Sequence, residues 1–140
     1  MTIVVDASVT LSWLMADEKS PWTDEILKRV TQEGAVVPDL WRLEVANALR
    51  ICVRRGRCDE PFADQCVIDL SGLPILVDPS TSQHAWGRTR SLSKAHGSTL
   101  CDAAYLELAL RLGRPLASLD DELIVAARAE GVEVLEPPAG

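Results

Sequence analysis

Asp6 directly follows the apolar run Ile3-Val4-Val5, and Asp120 directly follows Leu116-Ala117-Ser118-Leu119. Glu44 borders the apolar stripe of a helical segment at residues 39–55, and Asp102 lies between Cys101 and Ala103-Ala104 near a helix start. Taken singly, each acid has an ordinary role. Asp6 and Asp120 can cap the helices after them, Glu44 can be a solvated helix residue, and Asp102 can sit in the favourable field of a helix N-terminus. Gathered at one edge, carboxylates repel, and some stay protonated unless a cation is bound. Hard divalent cations, Mg²⁺ or Mn²⁺, suit such oxygen donors. An ion of that kind polarises a phosphoryl oxygen and activates water, and two of them roughly 4 Å apart can clamp both the attacking and the leaving oxygen.

The elements that must position these acids follow from pattern. Short apolar runs at residues 3–5, 35–37, 74–77, 115–119 and 132–135 read as buried strands. Between them lie helical patterns. Ser8 is placed to cap a helix carrying Val9, Leu11, Trp13 and Leu14, and Ser20-Pro21 starts one that Gly34 stops. Asp39 opens a longer helix in which Leu43, Ala46, Leu49 and Val53 recur at three and four residues. Asp59 starts another, running to about Leu70. Ser80-Thr81-Ser82-Gln83 has the capping-box pattern and begins a helix through Ala85 and Trp86. Ser98 or Thr99 caps a helix through Ala103, Leu106 and Leu110, and residues 121–130 form the last. Strands separated by helices imply parallel pairing, and uniformly apolar strands imply helices on both faces. The expectation is an α/β domain over residues 1–136 with a central parallel sheet of four or five short strands. Pro137-Pro138 marks a tail at 137–140. Ligands of such sheets bind beyond the carboxyl ends of the strands.

Composition removes several classes. The 140 residues carry a formal charge of −7, which argues against holding nucleic acid by bulk positive charge. The start lacks the basic segment of a secretory signal, and no apolar run approaches a membrane span of about 20 residues, so a cytoplasmic protein without a membrane is expected. The four cysteines, Cys52, Cys58, Cys66 and Cys101, form no C-x-x-C pair and no disulfide framework. Cys101 as a hydrolase nucleophile would need His84 or His96 as its base, and neither sits in a recognisable motif. The phosphate loop G-x-x-x-x-G-K-[ST], the dinucleotide fingerprint G-x-G-x-x-G after the first strand, and the nucleophile elbow G-x-S-x-G are all absent.

Four segments, in order, resemble PIN-domain proteins, and most closely the VapC-type ribonuclease toxins of toxin–antitoxin pairs. They are Ile3-Val4-Val5-Asp6-Ala7-Ser8, Leu43-Glu44-Val45-Ala46-Asn47-Ala48-Leu49, Cys101-Asp102-Ala103-Ala104-Tyr105-Leu106-Glu107-Leu108-Ala109 and Pro115-Leu116-Ala117-Ser118-Leu119-Asp120. The resemblance runs from Met1 to about Leu135. It implies a metal-dependent endoribonuclease in which Asp6, Glu44, Asp102 and Asp120 hold Mg²⁺ or Mn²⁺ and the hydroxyls of Ser8 and Ser118 assist. It further implies a homodimer silenced by a cognate antitoxin protein. Asp121 either shares the metal or caps the helix it begins. Leu100-Cys101 stands where the family often has an aromatic residue.

Setting those four acids aside leaves −3 of the formal −7. Arg50, Arg54 and Arg57 fall at helical spacing on one side, and Arg88, Arg90, Lys94 and His96 form a second basic run. Both runs suit RNA phosphates or an acidic antitoxin segment, and both also suit helix C-termini and solvated faces. The expected chemistry is phosphodiester hydrolysis, with Asp6, Asp102 and Asp120 holding the main ion and Glu44 as a further ligand or as partner to the attacking water. The alternatives are a non-catalytic α/β binding module whose acids are caps, a Mg²⁺-dependent phosphohydrolase on another substrate, and a nuclease that cuts DNA.

Overall fold

The computed structural model describes residues 1–135; residue 136 and the expected tail lie outside the described residues. Among the described residues the chain alternates strands β1 (Ile3–Val5), β2 (Ala35–Val37), β3 (Ile75–Val77), β4 (Leu116–Ala117) and β5 (Val134–Leu135) with helices. The helices are α1 (Ala7–Leu14), α2 (Pro21–Glu33), α3 (Trp41–Arg54), α4 (Glu60–Ser71), α5 (Thr81–His84), α6 (Arg88–His96), α7 (Leu100–Leu112) and α8 (Asp121–Ala129). All strand pairs are parallel, in the order β3-β2-β1-β4-β5. The fold class matches the expectation, and β1 and β2 are buried at every position.

That strand order reverses direction between β1 and β4. Right-handed crossovers then place α1 to α4 on one face and α5 to α8 on the other. The strongest helix contacts fall into those same two sets. A sheet that reverses in this way leaves a crevice at the carboxyl ends of the two strands flanking the reversal. Those strands are β1, which Asp6 follows, and β4, which Asp120 follows closely.

Several local expectations are corrected. Asp6, not Ser8, caps α1, because its carboxylate accepts from the Val9 N–H. Leu40 rather than Asp39 precedes α3, with no side-chain cap. The buried stripe of α3 is Trp41, Val45, Leu49 and Cys52, while Leu43 is 77% exposed. Trp41 sets this phase: its indole N–H donates to the Thr10 hydroxyl at 3.0 Å and so pins the first turn against α1. The capping box expected at Ser80 does not form, because its backbone (φ −104°, ψ 4°) is not extended and aims no side-chain oxygen at the helix. The helix through Ala85 and Trp86 is accordingly broken into α5 and α6.

A capping box does form at Ser20, whose hydroxyl accepts from the Thr23 N–H at 3.1 Å while Thr23 Oγ1 accepts from the Ser20 N–H at 2.8 Å. We expect Ser20→Ala to cost about 1 kcal/mol and to lower the melting temperature by roughly 3 °C, checked by calorimetry. Gly34 ends α2 at φ +83°, where a Cβ would come within 3.2 Å of the Pro74 carbonyl oxygen, so the turn into β2 requires glycine. Among the described residues no helix is long and apolar enough to cross a membrane.

Candidate active site

The crevice is built around Asp6, only 5% exposed. Both of its carboxylate oxygens are occupied. Oδ1 accepts from the Ser8 hydroxyl at 2.6 Å and the Val9 N–H at 3.1 Å, and Oδ2 accepts from the Ser118 hydroxyl at 2.5 Å. Each hydroxyl is fixed in turn by the turn after β4. Ser8 Oγ accepts from the Leu119 N–H at 3.0 Å, and Ser118 Oγ accepts from the Asp120 N–H at 2.9 Å. The two serines therefore tie the carboxyl ends of β1 and β4 together.

Asp120 sits at the N-cap of α8, with Oδ1 accepting from the Glu122 and Leu123 N–H groups. The strand expected up to Leu119 ends at Ala117, so Asp120 belongs to the turn rather than to the strand. Asp121 is the exposed first residue of α8 and does not supply the cap. Asp102 lies in the first turn of α7, where its N–H donates to the Thr99 hydroxyl of the N-cap at 3.2 Å. Glu44 arrives from α3 on the other face of the sheet, and its Oε1 accepts from the Tyr105 hydroxyl at 2.6 Å.

Three of the acids sense their acidic neighbours. Burial pushes the carboxyl of Asp6 above its ordinary range; the hydrogen bonds from Ser118, Ser8 and the Val9 N–H oppose this, and the charge of Asp120 adds to it. Burial also raises Glu44, against the Tyr105 hydrogen bond and with the charges of Asp102 and Asp6. Asp102 is raised by burial and by Asp120, against Thr99, and further by Glu122. None of the ion pairs between described residues includes any of these acids. Carboxylates that repel at a partly dry edge without a basic partner match a hard divalent cation in donor type and in charge. Among the described residues no three His, Cys, Asp or Glu side chains stand together as a group that could hold a metal ion. The carboxylates are instead engaged with Ser8, Ser118, Tyr105 and helix N-caps.

The basic runs are only partly available. The helix ends at Arg54 and Gly56 turns the chain at φ +72°, so Arg57 does not continue the face of Arg50 and Arg54 as its spacing suggested. Arg57 pairs with Asp17 at 3.0 Å and Glu18 at 3.3 Å, and Arg50 pairs with Glu60 at 3.3 Å. His96 meets Glu130 at 2.7 Å. Arg54, Arg88, Arg90 and Lys94 are exposed. Cys101 is exposed beside Asp102, and burial raises its thiol above the ordinary range, the reverse of an activated nucleophile.

Sequence reasoning gave Tyr105 no role. Its only local signal is that it stands three residues after Asp102, on the same side of α7. Nothing local ties it to Glu44, 61 positions away.

A parallel sheet with an acid-lined crevice at its point of reversal defines the class of this protein. Residues 3–129 match the model of the PIN domain, and the chain belongs to that family. It is 29% identical over 123 residues to Ribonuclease VapC3 of Pyrobaculum aerophilum, a stretch that covers 88% of this chain and 92% of the relative. Its fold is similar to that of PAE2754 from Pyrobaculum aerophilum (TM-score 0.69, 22% identity, covering 96% of this chain and 90% of the other). It is also similar to FitAcB from Neisseria gonorrhoeae (TM-score 0.67, 17% identity, covering 96% of each chain).

Proposed function

We propose that this chain is a metal-dependent endoribonuclease and the toxin of a type II toxin–antitoxin pair, hydrolysing RNA phosphodiester bonds. What supports the reading is that Asp6, Glu44 and Asp102 each feel the charge of another acid of the set Asp6, Asp102 and Asp120, and that no ion pair among the described residues neutralises any of the four. Membership of the PIN family and the similarity to a protein named Ribonuclease VapC3 support it. In this reading those four acids hold Mg²⁺ or Mn²⁺, and Asp121 stays outside the set as an exposed helix residue. When bound, the ion supplies Lewis-acid charge at the scissile phosphate and makes water a nucleophile at neutral pH.

The chain's own groups do the positioning. Ser8 and Ser118 hold both oxygens of Asp6 in one orientation and carry Asp120 to the same edge. In this reading half-buried Glu44 orients the attacking water and accepts its proton. Exposed Arg54, Arg88, Arg90 and Lys94 offer contacts to RNA phosphates or to an acidic segment of the antitoxin. The assembly we envisage is a cytoplasmic homodimer, held by exposed apolar side chains such as Leu43, Ile68 and Leu76 and silenced by its antitoxin.

The test is cleavage of structured and unstructured RNA by the purified chain in Mn²⁺, Mg²⁺ or EDTA, with matched DNA alongside. Asp102→Asn serves as the control for contaminating nuclease. Metal-dependent RNA cutting that vanishes in Asp102→Asn is the expected result. Cutting that survives EDTA or the substitution overturns the assignment, and DNA cleavage alone overturns the substrate.

A further inference from the structure

Glu44 is held from two directions. On its own helix, Trp41 donates to the Thr10 hydroxyl at 3.0 Å, and Thr10 donates to the Asp6 carbonyl at 2.9 Å. That chain locks the backbone of α3 to the end of β1 one turn before Glu44. From the opposite helical layer, the Tyr105 hydroxyl reaches Glu44 Oε1 at 2.6 Å. Tyr105 is 1% exposed, so its ring is immobilised by the core and its hydroxyl is a fixed donor. A phenol keeps its proton at neutral pH, so the group that faces Glu44 is a donor.

The chemical type of that donor matters. A glutamate has three rotatable side-chain bonds and costs entropy to hold still. A lysine or arginine would hold it but would also cancel its charge and compete with a cation. A phenol orients one oxygen, leaves the negative charge intact and leaves Oε2 unused.

We propose that Tyr105 is a positioning residue, a neutral strut across the carboxyl edge of the sheet that holds the Glu44 carboxylate in one orientation toward a divalent cation. This rests on the carboxylate centre described under the proposed function and goes beyond it by assigning what keeps Glu44 in place.

The chain contains one tyrosine, so growth on 3-fluorotyrosine labels Tyr105 alone. The expected result is a single ¹⁹F resonance that shifts on titration with Mg²⁺ in the full-length protein and does not shift in Glu44→Gln. In parallel, calorimetry with Mn²⁺ should show affinity falling about tenfold in Tyr105→Phe, the loss typical of removing an outer partner of a ligand. The double variant Tyr105→Phe/Glu44→Gln should bind no more weakly than Glu44→Gln alone. If the protein binds Mn²⁺ but the fluorine resonance is unmoved by Mg²⁺, or if Tyr105→Phe binds as tightly as the unmodified chain, the strut is overturned and the centre stands. If the unmodified chain binds neither ion, the centre itself falls, and the strut with it. The fluorine measurement decides even if Tyr105→Phe does not fold.

Discussion

Asp6→Asn is expected to lower RNA cleavage by about 10³-fold, ~4 kcal/mol of barrier, without unfolding the protein. The amide can keep much of the local bonding. Its oxygen accepts from Val9 N–H and Ser8, its NH₂ can donate to Ser118 Oγ, and asparagine is as good an N-cap as aspartate. What it loses is the charge. The sign of the stability effect follows from the direction of the shift. Burial raises the folded pKa of Asp6 above its unfolded value, so at neutral pH its ionised form costs stability, and the metal-free protein gains stability as pH falls toward the carboxylate range. Metal-free Asp6→Asn should therefore melt at or above the unmodified temperature, while the stabilisation that Mn²⁺ gives the unmodified chain should largely disappear. Calorimetry with and without Mn²⁺, beside the cleavage assay, checks both halves. A variant that cuts at the unmodified rate sinks the assignment of Asp6.

Arg111→Ala should produce the largest loss of stability among surface-accessible positions, about 3–5 kcal/mol at pH 7. The guanidinium donates to Asp78 at 2.6 Å and 3.3 Å and to Glu107 at 2.7 Å and 3.0 Å. Asp78 is 6% and Glu107 3% exposed, so the substitution strands two buried carboxylates without their cation. Burial pushes Asp78 upward, but the Arg111 bond, the Ser80 N–H and the Thr81 hydroxyl together outweigh it and hold the carboxyl below its usual range. A depressed folded pKa contributes stability that is present above the ordinary carboxylate range and is lost as pH falls through the folded value. In the variant the same carboxylates gain by taking protons, so the gap between the two proteins should narrow on acidification. Urea denaturation at pH 7 and near pH 4 reads this directly. A difference under about 1 kcal/mol at pH 7 would show that the cluster contributes little. The network also continues through Thr81 to the Asp39 N–H at 2.8 Å, just ahead of α3. Some loss of cleavage should therefore accompany the loss of stability.

The parallel architecture was legible because apolar triplets such as Ile3-Val4-Val5 and Ala35-Val36-Val37 alternate with capped helical patterns, and parallel strands admit few other connections. The position of Asp6 was legible for the same reason, since an acid directly after a buried strand has the carboxyl edge to face; Asp120 reaches that edge from the turn after β4, because the strand ends at Ala117, short of the Leu119 that the sequence suggested. The phase of α3 was not, since Leu43 and Val45 are equally apolar in one dimension. Only Trp41, anchored to Thr10, decides which of them turns inward. The basic face of α3 misled because spacing was extended past Arg54, where the helix ends and the chain turns. The partners of the acids were invisible for a different reason. Tyr105 meets Glu44 across 61 positions and Ser118 meets Asp6 across 112, and neither separation leaves a periodic trace.

That last separation has a consequence for synthesis. Because β1 is completed by β4, and Asp6 by Ser118, the crevice has no second wall until residues 116–120 have been made. At roughly 5–20 residues per second, on the order of 10 s passes between the appearance of Asp6 and that of Asp120. Until then Asp6 lacks both the Ser118 hydroxyl that holds its Oδ2 and the charge of Asp120 beside it. Under the proposed function, a chain terminated before Leu116 is expected to lack cleavage activity, because it carries neither Ser118 nor Asp120.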